Sequence, residues 1–154
     1  MNWFDQIVKE NSNRPRFLSL ISHSEGTDRY GDDYGYNVIV GGSLFYDYSD
    51  HPRVLVDLPN LGIASSAAGR YQVLERYYDH YKKQLGLPDF GHDSQDKIAL
   101  QLIKECRALE DIDAGRIEEA IVKCKSRWAS FPGAGYNQYE HSMQKLLDYY
   151  ENFT

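Results

Sequence analysis

Cysteine is scarce in this chain: Cys106 and Cys124 are its whole complement in 154 residues. Neither stands in a C-x-x-C pair, which excludes a disulfide-stapled scaffold and reads as two small buried apolar side chains in a reducing compartment. Long hydrophobic runs are missing too. Val38-Ile39-Val40 is a typical maximum, against about 20 apolar residues needed to cross a bilayer, so no membrane span is expected. The segment Met1–Gln6 carries Asp5 early and no apolar core of about 7–15 residues, so no secretory signal is expected. Cations are outnumbered, 17 Lys and Arg to 23 Asp and Glu, for a net charge of −6. That argues against nucleic acid as the main partner, because phosphate neutralisation dominates such binding. No G-x-G-x-x-G, G-x-x-x-x-G-K-[ST], H-E-x-x-H or G-x-S-x-G string occurs. His23, His51, His80, His92 and His141 are too scattered for a metal site. No metal or cofactor is expected.

What is present is an ordinary globular balance, 42% hydrophobic and 26% charged, without repeats or linkers. The length fits a single domain over 1–154, able to bury roughly 68–70% of its unfolded surface. The unusual feature is 13 Tyr beside 6 Phe and 2 Trp. Tyrosine suits surfaces that are half apolar and half hydrogen-bonding, a hint of a sugar or peptide groove.

Helical spacing dominates. Phe4, Ile7 and Val8 open a helix that Asn11-Ser12-Asn13 is expected to break. Pro15 then sits where a first-turn proline would, ahead of the stripe Phe17, Leu18, Leu20 and Ile21. Gly26 is a natural residue past a helix C-terminus, which puts Glu25 in the last turn. Two β-favouring runs flank Gly41-Gly42, a hairpin signal, while Tyr46 to Ala68 reads as irregular. Val73, Leu74, Tyr77, Tyr78, Tyr81 and Leu85 form the next stripe, stopped by Gly86 and Pro88. Asp93 or Ser94 is expected to cap a helix carrying Ile98, Ala99, Leu102, Ile103, Cys106 and Leu109. Ile117, Ile121, Cys124 and Trp128 mark another, and Met143, Leu146, Leu147 and Tyr150 a closing one. The fold class is α+β, mostly helical with a small β-hairpin.

Three strings carry chemistry. In Ser22-His23-Ser24-Glu25-Gly26-Thr27 a carboxyl faces the negative end of a helix dipole. If it is also desolvated, its pKa rises toward that of a general acid; the alternative is an ordinary exposed glutamate. In Ala68-Gly69-Arg70-Tyr71-Gln72, glycine permits close backbone approach, and Tyr and Gln offer a stacking face and an amide. The same string serves equally as a turn before a helix. Phe131-Pro132-Gly133-Ala134-Gly135-Tyr136-Asn137-Gln138 suits either a flap over a groove or a helix connection.

Ser24-Glu25-Gly26-Thr27-Asp28, Tyr36–Gly42, Asp47-Tyr48-Ser49-Asp50-His51-Pro52-Arg53, Ala68–Gln72 and Trp128–Tyr136 occur in an order that resembles the lambda-type phage endolysins from about Phe17 to His141. The resemblance implies a lysozyme-like α+β fold with a groove between a hairpin lobe and a helical lobe. It also implies cleavage of the β-1,4 bond between N-acetylmuramic acid and N-acetylglucosamine in peptidoglycan. That family works as lytic transglycosylases, leaving 1,6-anhydromuramic ends, and its single catalytic acid falls on Glu25. A hydrolytic muramidase would need a second carboxylate, for which Asp28, Asp32, Asp33 and Asp47 are candidates. A non-catalytic wall-binding domain is the remaining alternative. The Glu-x8-Asp-x5-Thr pattern of other tailed-phage lysozymes fails, since Tyr34 and Val40 occupy the Asp and Thr positions.

The expected sugar contacts are Gln72 and Gln138 through their amides, Tyr71 or Tyr136 as an apolar wall, and Asp47 and Ser49 as polar groove residues. The implied partner is the peptidoglycan glycan strand, met by a monomer. The protein is expected to collect in the host cytoplasm and to reach the periplasm and cell wall once a separate holin permeabilises the membrane. Two departures from the lambda-type pattern stand out. Ser65-Ser66-Ala67-Ala68 replaces Ser-Thr-Gly-Ala, and Asn37 stands where an Asp is familiar.

Overall fold

A helix of 23 residues, Trp3–Glu25 (α1), opens the chain in the computed structural model, which describes residues 3–134 and 141–152, the first turns of α1 by backbone alone. The expected break at Asn11–Asn13 does not occur, and Pro15 lies inside the helix. An interior proline removes a backbone hydrogen bond at a cost of about 3 kcal/mol, so tertiary contacts must hold the turn. They are present. Asn13 Nδ2 donates to the Ile112 carbonyl at 3.1 Å, and Asn13 Oδ1 accepts from the Tyr150 hydroxyl at 3.2 Å. Arg14 grips both carboxylate oxygens of Asp113, at 2.9 and 2.8 Å. The asparagine that reads as a helix breaker is a tertiary anchor.

The remaining helices are Glu75–Leu85 (α2), His92–Glu105 (α3), Leu109–Asp113 (α4), Ile117–Cys124 (α5) and Met143–Glu151 (α6). Val56–Leu58 (β1) and Ile63–Ser65 (β2) pair antiparallel, with Asp57 opposite Ala64. The chain divides into two compact units, residues 1–24 with 100–154, and residues 25–99.

In the first unit the stripes bury as their spacing predicts. Phe17, Leu20, Ile21, Ile103, Ile112, Ile121, Cys124 and Phe131 are fully buried, and Trp128 nearly so. The Phe131 ring meets Phe17 edge-on at 6.3 Å and Trp128 at 6.1 Å. Phe131 therefore anchors its loop in the core. The buried Asp111 joins α4 to both ends of α5, accepting from Arg116 Nε at 2.8 Å and Lys123 Nζ at 2.6 Å. α3 stops short of Leu109, because Arg107 takes a positive φ of 60° and turns the chain into the separate α4.

In the second unit the hairpin lies elsewhere than expected. Around Gly41-Gly42 the chain makes an isolated bridge, Val38 with Leu44, closed by Ile39 N–H to the Ser43 carbonyl at 2.7 Å. The regular pair β1–β2 falls in the segment that reads as irregular, turned by Pro59–Leu61 and Gly62. Its residues are half-buried or exposed without a clean alternation, so period two leaves little trace in the sequence. Gly86, with φ 64°, ends α2 as expected. α3 starts at His92, ahead of both expected caps, and Asp89 Oδ1 accepts from the Gly91 amide and the Ser94 hydroxyl, both at 2.9 Å.

Candidate active site

Glu25 is the last residue of α1, and Gly26 follows with φ 81°, the left-handed cap that ends a helix. The Glu25 side chain is half-buried, and desolvation pushes its carboxyl up to about 8. Among the described residues no cation is paired with it, so burial acts unopposed. The helix terminus adds to this, because the last carbonyls present negative charge to the carboxylate. Glu25 is thus a carboxylic acid that carries its proton at neutral pH. Just before it, Ser24 is buried, its hydroxyl 2.7 Å from that of Ser130.

Thr27 ties this string to the second. It is buried, and its hydroxyl donates to the Arg70 carbonyl at 2.8 Å. Gly35 packs flat on Thr27, where an added Cβ would lie 3.0 Å from both the Thr27 carbonyl and its hydroxyl oxygen. Gly69 is more confined still. Its φ is 84°, and a Cβ would sit 2.4 Å from Gln95 Oε1. Gln95 is fully buried, accepts from the Arg70 amide at 2.9 Å, and donates to the Tyr36 and Phe90 carbonyls. The string Gly69–Gln72 is a turn cast around that one amide.

Two expected sugar contacts change role here. Tyr71 is 1% exposed, so it cannot present a wall to a ligand. Its hydroxyl donates to Asp96 Oδ1 at 2.5 Å, its ring meets Tyr36 edge-on at 6.3 Å, and burial pushes its phenol pKa up. Tyr71 belongs to the core because a phenol buries well when its hydroxyl finds a partner. Gln72, at φ 55°, spends its Nε2 hydrogens on the Val38 and Gly69 carbonyls, at 3.2 and 2.8 Å. The Nε2 end of the amide expected to hydrogen-bond a sugar holds its own turn.

Asp47 and Ser49 are exposed. The Ser49 amide donates to Asp47 Oδ1 at 2.9 Å, and Ser49 holds the Asp47 carboxyl below its ordinary range. The rest of that string is structural. His51 is 2% exposed; its Nδ1 accepts from the Arg53 amide at 2.9 Å, which leaves Nε2–H to donate to the Val73 carbonyl at 2.8 Å. Arg53 clamps Asp50 at 2.8 Å and Asp79 at 2.6 Å. Tyr136 and Gln138 lie outside the described residues. Among the described residues no group of His, Cys, Asp and Glu is arranged to hold a metal ion.

One cluster escaped the sequence reading. His92 Nε2 lies 2.7 Å from Asp33 Oδ2, its ring stacks on Tyr36 at 3.9 Å, and the Tyr48 hydroxyl donates to the same Asp33 oxygen. Tyr48 and His92 hold Asp33 below the usual carboxylate range. Nothing in the spacing of residues 33, 48 and 92 foretells the meeting. It is made by the turns between them.

The endolysin family profile matches residues 15–154. The chain belongs to the endolysin family. It is 54% identical to the endolysin of Escherichia phage lambda over 144 residues, 92% of this chain and 90% of that protein. It is 47% identical to the endolysin of Escherichia phage P2 over 152 residues, 92% of each. A structure of bacteriophage lambda lysozyme complexed with a chitohexasaccharide superposes with a TM-score of 0.87 at 53% identity, covering 90% of this chain and 92% of that one. Another lambda lysozyme structure gives 0.83 at 52% identity, with the same coverage. The fold is therefore the lysozyme-like α+β fold, and the chain is a lysozyme-like enzyme of the lambda type.

Within this endolysin the departure at Asn37 has a local reason. The residue is 1% exposed, and its Nδ2 donates to Asp32 Oδ1 at 2.7 Å. An aspartate there would set two carboxylates against each other. The departure at Ala67, where that pattern has glycine, falls in buried backbone: the Ala67 carbonyl accepts from the Val40 amide, and the neighbouring Ala68 exchanges amide hydrogen bonds with Val73.

Proposed function

We propose that this endolysin cleaves the MurNAc-β-1,4-GlcNAc bond of peptidoglycan as a lytic transglycosylase, with Glu25 as its acid and base. The observation that carries the reading is the place of Glu25, half-buried at the end of α1 and bonded to no cation among the described residues, where desolvation pushes its carboxyl up to about 8. As acid, Glu25 gives its proton to the glycosidic oxygen while the bond from C1 breaks. As carboxylate, it then takes the proton of the muramic 6-hydroxyl while O6 closes on C1. The ring of atoms balances without water, and the second step gains its rate from proximity, so one carboxyl suffices. The candidate second acids Asp32 and Asp33 are bonded to Asn37 and Tyr46, and to Tyr48 and His92. The similar lambda lysozyme structure holds a chitohexasaccharide, a β-1,4-linked glycan, which supports a glycan substrate for this chain.

The test is mass spectrometry of soluble fragments released from purified peptidoglycan. Muropeptides ending in anhydromuramic acid, one water lighter than hydrolysis products, are expected. Reducing ends would establish a hydrolytic muramidase and turn attention to Asp28, Asp33 and Asp47. Wall binding without release would leave a non-catalytic domain. For access to the wall we extend the proposal to the lambda-type route, accumulation in the host cytoplasm and release by a separate holin. Expression without a holin should leave cells intact until the inner membrane is permeabilised; spontaneous lysis would refute this route.

A further inference from the structure

Cys106 and Cys124 lie in one unit, at the ends of different elements. Cys106 follows the last residue of α3, and Cys124 is the last residue of α5. Two contacts straddle them. Arg127 Nη2 bonds Glu105 Oε1 at 3.2 Å on one side, and Lys123 Nζ donates to the Arg107 carbonyl at 3.3 Å on the other. Residues 105 and 107 are thereby laced to 127 and 123, which brackets Cys106 and Cys124 between the two ties. Both are free, Cys124 fully buried and Cys106 half-buried.

From this geometry we infer that Cys106 and Cys124 are an oxidisable thiol pair that closes an intramolecular disulfide, a covalent modification site separate from Glu25 and independent of the proposed reaction. The required co-reactant is a small-molecule disulfide such as oxidised glutathione. The Cys106 thiolate attacks one glutathione sulfur, the glutathione disulfide breaks, and one glutathione leaves as its thiolate. Cys124 loses its proton and attacks Cys106 Sγ, expelling the second glutathione. Two protein thiols are oxidised and one external disulfide becomes two thiols. The order follows from exposure, since a reagent reaches Cys106 and not the buried Cys124. The neighbourhood of Cys124, together with Arg127 and Ser126, also pushes the Cys106 thiol down from its ordinary value. Cys124 is shifted upward by the neighbouring Cys106 and by burial, which suits a resolving thiol that acts second. The bridge would stay open in a reducing compartment and close where a disulfide pool is oxidising.

The test treats the native full-length chain with oxidised glutathione, then reads intact mass and a non-reduced peptide map. The expected product is two hydrogens lighter, with the Cys106 and Cys124 peptides joined and the urea midpoint raised until dithiothreitol restores the starting value. Under the same treatment, Cys124→Ser should stop at one glutathione adduct on Cys106, and Cys106→Ser should remain unmodified. A native chain that keeps both thiols, stops at the mixed disulfide, or links to a second chain would overturn the inference.

Discussion

In residues 25–99, eight glycines and also Tyr34, Arg53 and Gln72 take positive φ, whereas among the described residues of 1–24 and 100–154 only Gly115, Gly133 and Arg107 do so. The contrast separates two ways of specifying structure. The helical unit repeats one backbone conformation and buries one stripe after another, so its energy lies in apolar packing around Phe17, Trp128 and Phe131. The other unit bends at nearly every step and is held by side chains bonded to backbone, such as Gln95, Gln72, Thr27 and His51. The first way tolerates substitution where volume is kept. The second depends on particular atoms and on positions where no Cβ fits. Such turn-built segments also position chemistry, because they can aim a side chain where no regular element would.

The largest effect expected is at Glu25. Glu25→Gln should reduce release of wall fragments by about 10²–10⁴-fold while the circular dichroism spectrum stays that of the parent, since the amide keeps the shape and loses the proton. Near-parental release from a folded Glu25→Gln protein would place the chemistry elsewhere. The same carboxyl sets a pH signature. Its folded-state value, about 8, is above its ordinary 4.5, so between these the folded chain binds more protons than the unfolded one. Stability should therefore fall with rising pH across that window, with a slope of at most about 1.4 kcal/mol per pH unit from this group, and level off above it. Glu25→Gln should remove that slope in urea titrations, and the rate of the parent should decline above about pH 8. An unchanged slope in the variant would show that Glu25 ionises normally in the folded chain.

Next in size is Gly69→Ala, which tests the atom-specific unit directly. Left-handed strain of about 1–2 kcal/mol adds to about 1–3 kcal/mol for the displaced Gln95 amide. The expected loss is about 2–5 kcal/mol by urea unfolding, and a loss under about 1 kcal/mol would mean that the turn yields easily. Asn13→Ala probes the helical unit. It leaves the Tyr150 hydroxyl and the Ile112 carbonyl short of a partner and should cost about 1–3 kcal/mol, with the pH–rate profile unmoved. The smallest expected change is in the exposed Asp47–Ser49 turn. Asp47→Ala should leave the unfolding midpoint where it is, so any drop in fragment release there reads a contact with the glycan and not a loss of fold.

Helical spacing was legible because burial along one helix depends on neighbours three and four residues away. Phe17, Leu20 and Ile21, the Tyr78 and Tyr81 pair, and Ile117, Ile121 and Cys124 all bury as their spacing indicates. Asn13 and Pro15 misled because each has a strong local preference that distant partners override. β1 and β2 were missed because the pair is short and largely exposed. Tyr71 and Gln72 read as ligand contacts since phenol and amide groups suit a sugar and a core equally well; which one they serve depends on Asp96 and on the Val38 carbonyl, 25 and 34 residues away in the chain.

By itself the sequence determined the helical stripes, the α+β class, the position of Glu25 at a helix end beside Gly26, and the family through its ordered strings. These are properties of residues near one another in the chain. Only the tertiary structure decided how far Glu25 is desolvated, that His92 meets Asp33 and Tyr48, that Tyr71 is core, and that two ties bracket Cys106 and Cys124. Each of those is a meeting of groups brought together by turns, and dielectric, hydrogen-bond supply and thiol placement are set by such meetings and not by chain neighbours.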